Sequence, residues 1–265
     1  MNDIVTRSQR TAPLMEELPW DSAHFGFTVA RIAGDCLSTE KLERALDYGK
    51  QTGKRLVYWS APADQVVERG LLDAYCGLLV DLKATYAADL AGLVRYPSPD
   101  ASARAEATVV PFRRRHPTPQ LLALGVAAGA TSRFHADPGI NRETADELFR
   151  IWIRRSVSRE MADTVLVVPG VNDPDDVRGV VTVRAAGGSG SIGLIAVDRR
   201  YRRQGLGGRL LQAAHRWMFN RGLRSAEVVT QRRNRAACRL YEKAGYMLRE
   251  VRRFYHFWPT EGRLR

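Results

Sequence analysis

The residues with the strongest chemical implication in this 265-residue chain are Arg202, Arg203, Gln204, Gly205, Leu206, Gly207 and Gly208. They follow the apolar run GLIAV and open a helical pattern, and four arginines fall between positions 199 and 203. The first turn of a helix has unpaired N–H groups, its dipole adds partial positive charge, and glycines let a phosphate approach the backbone. The segment therefore reads as an anion cradle that would suit a diphosphate. A dinucleotide fingerprint would need glycine where Leu210 stands, and the Gly-Lys-Ser/Thr of a P-loop is absent. Taken alone, the same residues also describe an ordinary strand-to-helix turn with surface arginines.

The elements that must position this loop follow from periodicity. DTVLVV, GVVTVRA and SIGLIAV read as three successive strands, the last two joined at Gly187 and Gly188 in a tight hairpin, so an antiparallel meander is expected. After the glycine-rich loop comes a helix with Leu210, Leu211, Ala214, Trp217 and Met218 on one face, closed by Gly222. The strand SAEVVTQ follows, then a helix opened by Asn234 and ended by Gly245, then a last strand, MLREVRRFYHFW. Upstream, Thr118 as N-cap with Pro119 behind it starts one helix, and Asn141 starts another with the stripe Ala145, Leu148, Phe149, Trp152 and Ile153. TVVPF precedes both as a short strand. Nearer the start, TVARI, RLVYWSA and GLLVDLKATY alternate with the amphipathic stretches TEKLERALDYGKQTG and DQVVERGLLDAYC, which suggests a small α/β unit. The proline-punctuated PSPDASARAEA reads as a linker, giving expected domains of 1–104 and 105–265.

Composition narrows the ligand. Lys+Arg number 41 against 29 Asp+Glu, a net charge of +12 that favours an anionic ligand such as nucleic acid, coenzyme phosphates or a nucleotide sugar. The longest aliphatic and small-residue run, Leu121 to Ala130, falls short of the ~20 residues of a membrane span. The opening residues lack the apolar stretch of ~7–15 residues of a signal peptide, so a cytoplasmic protein without membrane partners is expected. Cys36, Cys76 and Cys238 are widely spaced, and neither they nor the histidines show metal-ligand spacing, so no metal is expected. The arginine groups are scattered over turns and strands without a recognition helix, RNA-binding or zinc-finger signature, which argues against a nucleic-acid partner.

The pattern VDRRYRRQGLGGRLL, followed after one strand by NRAACRLYEKAGY, resembles the GNAT superfamily of N-acetyltransferases. The resemblance covers roughly residues 105 to 265. It implies an α/β (α+β) fold with a mixed, largely antiparallel sheet flanked by helices, here preceded by a smaller α/β domain, and acetyl-CoA as co-substrate. It assigns Leu194, Ile195, Ala196 and Val197 to the pantetheine arm through their backbone, and Arg202, Arg203, Gln204, Gly205, Leu206, Gly207 and Gly208 to the diphosphate. It also places Asn234 at the coenzyme arm, where an N-cap role is compatible. Tyr241 becomes the acid that protonates the departing thiolate: a phenol (~10) holds its proton at neutral pH above a thiol (~8.5). An N–H of the GLIAV strand would stabilise the oxyanion.

The base is not evident. His135, Asp137 and Asp163 qualify by residue type only, water would serve instead, and His24 reads as a packing residue. A second resemblance, carried by LPWDSAHFGFTVARI, SRFHADPGI, DELFRIWIRRS and RRFYHFW, is to dTDP-fucosamine acetyltransferases, two-domain members that acetylate a nucleotide-linked amino sugar. It implies a small-molecule amine, an anionic nucleotide sugar, as acceptor, with Arg133, Arg154 and Arg155 as candidate contacts; each alone also fits a solvated helix face. A homodimer is left open. The alternatives are acetylation of a protein, peptide or aminoglycoside amine, a non-catalytic acetyl-CoA sensor, or a basic nucleic-acid binder. A polycationic aminoglycoside would be repelled by the basic field.

Overall fold

The computed structural model describes residues 14–95, 108–170 and 176–260. Two compact units emerge: Met1–Leu79 with Phe254–Arg265, and Val80–Arg253. In the first, β1 (Met15–Glu17), α1 (Pro19–Phe25), β2 (Val29–Ile32), α2 (Thr39–Gln51), β3 (Leu56–Pro62) and α3 (Arg69–Ala74) follow one another. β1 runs antiparallel to β2, and β2 parallel to β3, with α2 as the crossover. The Ser38 hydroxyl accepts the Lys41 N–H to start α2, whose Leu42, Ala45 and Leu46 share a core with Val57 and Trp59. Tyr255 and Phe257 from the last strand are buried in that same core.

The second unit contains β4 (Leu78–Asp89) from Val80 onward, α4 (Leu90–Arg95), β5 (Val110–Pro111), α5 (Pro119–Gly129), α6 (Arg133–Ala136) and α7 (Arg142–Val157). Then come β6 (Thr164–Pro169), β7 (Val177–Ala186), β8 (Ser189–Val197), α8 (Leu206–Phe219), β9 (Ser225–Gln231), α9 (Arg235–Lys243) and β10 (Met247–Phe257), which passes into the first unit at Phe254. The strand order is β4-β9-β8-β7-β6-β5. Along this run the pairings are antiparallel except β8 with β9, so the expected mixed, largely antiparallel sheet and its β6-β7-β8 meander are present.

The expected 104/105 boundary falls in 96–107, with the linker, outside the described residues. The units divide elsewhere, at 79/80 and 253/254. The reason is long-range pairing: GLLVDLKATY, expected as the last strand of an N-terminal domain, forms β4, which pairs with β9 from Lys83↔Gln231 to Asp89↔Ser225.

Helix packing follows the apolar stripes with two departures. On α8, Leu210, Leu211, Ala214 and Met218 are buried as expected, but His215 takes a buried place while Trp217 stays half-buried under the Arg221 guanidinium, 4.2 Å from its ring centroid. On α7, Trp152 is half-buried beside Gly193. α5 approaches α7 through two glycines: a Cβ on Gly125 would lie 2.4 Å from Ile153 Cγ1, and one on Gly129 2.3 Å from the Phe149 ring. No described helix is long and apolar enough to cross a membrane.

Candidate active site

All of the site described below lies in the second unit. β8 and β9 pair in parallel from Ser189↔Ser225 to Ile192↔Val228 and then part, although β8 continues to Val197 and β9 to Gln231. A register shift between Val181 and Val183 marks the parting on the β7 side, and there the Leu194 N–H turns to the Thr182 hydroxyl at 2.8 Å. Beyond it the Asp198 N–H donates to Arg178 O at 2.8 Å, and Gly179↔Val197 and Val181↔Ile195 are opposed. Antiparallel pairs alternate between bonded and non-bonded, so the Ile195 and Val197 backbone groups face away from β7, toward the gap that β9 has left. The Val197 carbonyl accepts from Arg202 Nε at 3.1 Å.

The gap opens as a groove of ≈ 310 Å³ between β8, α5 and α9, with Ile195, Ala196, Val197, Arg202, Gly207 and Asn234 on its wall. The oxygen of Asn234 caps α9 by accepting the Ala237 N–H at 3.2 Å, so cap and groove residue are one side chain.

At the groove's mouth the chain makes a 3-10 turn at Arg199–Tyr201 and enters α8 at Gly205, whose φ of +77 is left-handed. No side chain caps α8, so the N–H groups of Leu206, Gly207 and Gly208 point out of the helix end. Arg203 holds φ +60, a conformation uncommon for a residue with a Cβ. Asp198 pins the turn by accepting the Arg200 N–H at 2.8 Å and its guanidinium; that arginine keeps its carboxyl below the usual carboxylate range. Tyr201 is flanked by the Arg178 and Arg200 guanidinium groups at 4.9 and 5.3 Å from its ring centroid. A second cavity of ≈ 380 Å³ lies behind the loop between α8 and α9, with Arg203, Gly205, Leu206, Gly208 and His215 on its wall.

Of the residues expected at the coenzyme, Gln204 is exposed and on neither wall, and Leu194 is buried in the core with its N–H already bonded. Tyr241 also lies on neither wall. It is 2% exposed on the core face of α9, with Tyr86 and Tyr246 at 6.0 and 5.9 Å between ring centroids, and burial pushes its phenol up. The α9 residue one turn earlier, Ala237, does line the groove.

The bases considered by type are occupied otherwise. His135 bridges the Ser132 hydroxyl (2.9 Å) and the Asp146 carboxylate (2.7 Å), tying α6 to α7. Asp137 accepts the Gly139 N–H in a turn, and Asp163 accepts the Ala185 N–H. A carboxylate missed by sequence reasoning stands out instead. Asp81 on β4 is 7% exposed, its Oδ1 is buried without a hydrogen-bond partner, and burial raises its carboxyl to about 6 against the pull of Arg233 and Arg133. It stands beside the end of β9, where the Arg232 N–H donates to Leu82 O and Gln231 Oε1 accepts from Thr131, a groove residue. The signal was an acid set among apolar residues in LLVDL.

The three candidate acceptor arginines separate. Arg133 lies in the field of Asp81, its guanidinium over the Phe134 ring at 4.4 Å. Arg154 pairs with Glu147 at 2.5 Å and Arg155 with Glu160 at 2.9 Å, near the exposed end of α7. Arg233, beside Asp81, donates to the Thr131 and Ser132 carbonyls. Among the described residues no group of three or more His, Cys, Asp or Glu is placed to hold a metal.

A parted parallel strand pair beside an uncapped, glycine-rich helix start can hold an extended ligand that carries phosphate. Residues 133–246 match the profile of the acetyltransferase (GNAT) family and form a GNAT acetyltransferase domain, and acetyl-CoA is the acyl donor of that fold. The chain is 28% identical over 236 residues to a dTDP-fucosamine acetyltransferase of Escherichia coli O6:H1, covering 87% of this chain and 92% of that one. It is 25% identical over 128 residues to a spore coat polysaccharide biosynthesis protein of Bacillus subtilis, covering 48% and 43%. In fold it resembles a conserved Staphylococcus epidermidis protein of unknown function (TM-score 0.62, 13% identity, 94% and 93% covered). It also resembles a GCN5-related N-acetyltransferase from Sphaerobacter thermophilus (TM-score 0.57, 16% identity, 94% and 77% covered).

Proposed function

We propose that the protein acetylates the amino group of a nucleotide-linked amino sugar. The observation that carries this reading is the gap between β8 and β9, where Ile195 turns its backbone groups to the groove beside the uncapped start of α8. Two relatives with names from sugar and polysaccharide chemistry support the acceptor class, one of them aligned over 87% of this chain. The net charge of +12 supports it too, since a nucleotide sugar brings its own diphosphate.

Acetyl-CoA supplies an acetyl group activated as a thioester; the protein's residues do the rest. Leu206, Gly207 and Gly208 N–H groups, with Arg202 and Arg203, hold the diphosphate. The Ile195 backbone pairs with the pantetheine amides as a strand would, and its N–H supports the negative charge that grows on the acyl oxygen as the amine adds. Asp81 accepts the amine's proton: burial has moved its carboxyl to about 6, near the working pH, and its Oδ1 has no competing bond. Tyr241 gives its proton to the sulfur that leaves. Arg133 and Arg233 supply cations for the acceptor's phosphates.

The test is thiol release from acetyl-CoA with dTDP- and UDP-linked amino sugars beside an aminoglycoside and a lysine peptide. Turnover with one nucleotide sugar is the expected result. Turnover confined to the peptide or aminoglycoside would overturn the acceptor while leaving the donor site standing.

A further inference from the structure

Tyr241 carries its role in the proposed reaction without a hydrogen bond to orient it. It reaches the ring cluster of the core through Tyr86 on one side, at 6.0 Å and 49°, and Tyr246 on the other, at 5.9 Å and 59°. Each of these neighbours, by contrast, has its hydroxyl fixed. The Tyr86 O–H donates to Glu242 Oε1 at 2.8 Å and its oxygen accepts from Arg232 at 3.2 Å. The Tyr246 hydroxyl shares a 2.9 Å hydrogen bond with His215 Nε2, and the two rings stand 5.5 Å apart. The Tyr246 N–H also donates to the Tyr241 carbonyl at 3.0 Å, so ring and backbone of the two residues are linked.

A tyrosine ring that packs on two others can flip about its long axis, which leaves the hydroxyl in place, and rock within its well, which carries the hydroxyl; both motions need the flanking rings to yield. Fixing the hydroxyls of the flanking rings removes the slack that such rocking needs, because a densely packed interior transmits a neighbour's position. The arrangement stands in the core of one unit, 2%, 0% and 3% exposed at Tyr241, Tyr86 and Tyr246. His215, 4% exposed on α8, is held neutral by burial and stays available to Tyr246.

We propose that Tyr86 and Tyr246 are positioning residues that hold the Tyr241 ring between them, Tyr246 through its bond to His215 and Tyr86 through Glu242 and Arg232. The proposal rests on Tyr241 as the acid of the reaction, and it is distinguishable from that reading. Tyr246→Phe keeps the flanking ring and removes only its tether. The expected result is a kcat lowered about tenfold with the acetyl-CoA KM nearly unchanged, reproduced by His215→Gln from the other end of the bond. In a Tyr241→Phe background the same Tyr246→Phe change should cost nothing more, because a residue that acts through another loses its effect once the other is gone. Equal losses in both backgrounds, or an unchanged kcat in Tyr246→Phe, would overturn the proposal.

A readout independent of turnover separates the two readings. With ring-labelled tyrosine, NMR should show Tyr241 flipping faster in Tyr246→Phe than in the parent protein. If Tyr241→Phe keeps full turnover, the acid reading fails, and the flip rate still decides whether Tyr246 holds the ring. An unchanged flip rate removes the positioning role whatever the kinetics show.

Discussion

Asp81 and Arg133 illustrate how one side chain's environment sets its chemistry. A carboxyl raised to about 6 by burial is protonated in mild acid and charged at neutral pH. If it takes the amine's proton, kcat/KM should rise with pH through about 6, and Asp81→Asn should remove that limb and lower turnover ~10²–10⁴-fold. The pH profile of the two proteins decides it: an unshifted limb in the variant would assign the proton to another group. The same carboxyl bears on stability with the opposite sign. Its folded pKa lies above the ordinary value of 3.8, so its contribution is full below that pH and is lost as pH rises through about 6. Arg133→Ala should raise the acceptor KM, whereas Arg154→Ala and Arg155→Ala should raise it far less, since Arg133 lies beside Asp81 and the other two sit near the exposed end of α7, with Glu147 and Glu160. Steady-state KM values for the three variants, at saturating acetyl-CoA, make the comparison.

At the scale of elements, what sequence could reveal was what is local in sequence. The 202–208 loop lies between one strand and one helix, so a short window contains the entire cradle, and Asn234 capping the next helix is equally local. Leu194 differs from Ile195 for a reason no periodicity shows: the register shift against Val181 and Val183 turns the Leu194 N–H to Thr182 and leaves Ile195 to face the gap. Asp81 was missed because its meaning depends on β4 meeting the end of β9, a pairing between residues some 150 positions apart. The strand's length and apolar pattern were legible; its partner was not. Packing of α5 on α7 was likewise invisible beyond a run of small residues, yet it sets one wall of the groove. Gly129→Ala would put a Cβ 2.3 Å from the Phe149 ring, an overlap that must move the helix. The expected cost is about 1–3 kcal/mol, read as a lower melting temperature by about 2–4 °C per kcal/mol, and because Ala127, Ala128 and Ala130 line the groove the acetyl-CoA KM should rise as well. A variant with parental melting temperature and KM would show that α5 yields without disturbing the wall.

For the molecule as a whole, the excess of positive charge is a statement about encounter rather than about fold. A net charge of +12 draws in anions over distances comparable to the screening length, ~10 Å at 0.1 M salt and ~3 Å at 1 M. Acetyl-CoA is itself anionic, so the two substrates must be separated: with the donor saturating, only acceptor capture remains sensitive to the field. Under that condition kcat/KM for a nucleotide-linked amino sugar should fall several-fold, on the order of 3–10, as salt rises from about 0.05 to 0.5 M. The kcat at saturating acceptor should change little, because the field acts on arrival and not on the bond-making step. A neutral amine with the same sugar ring but no diphosphate provides the control, and its kcat/KM should be flat. If instead salt accelerates the nucleotide sugar, or slows both amines alike, the charge is not serving the acceptor. The cations gathered around the diphosphate loop would then suffice for the donor, and the acceptor would belong to another class of amine.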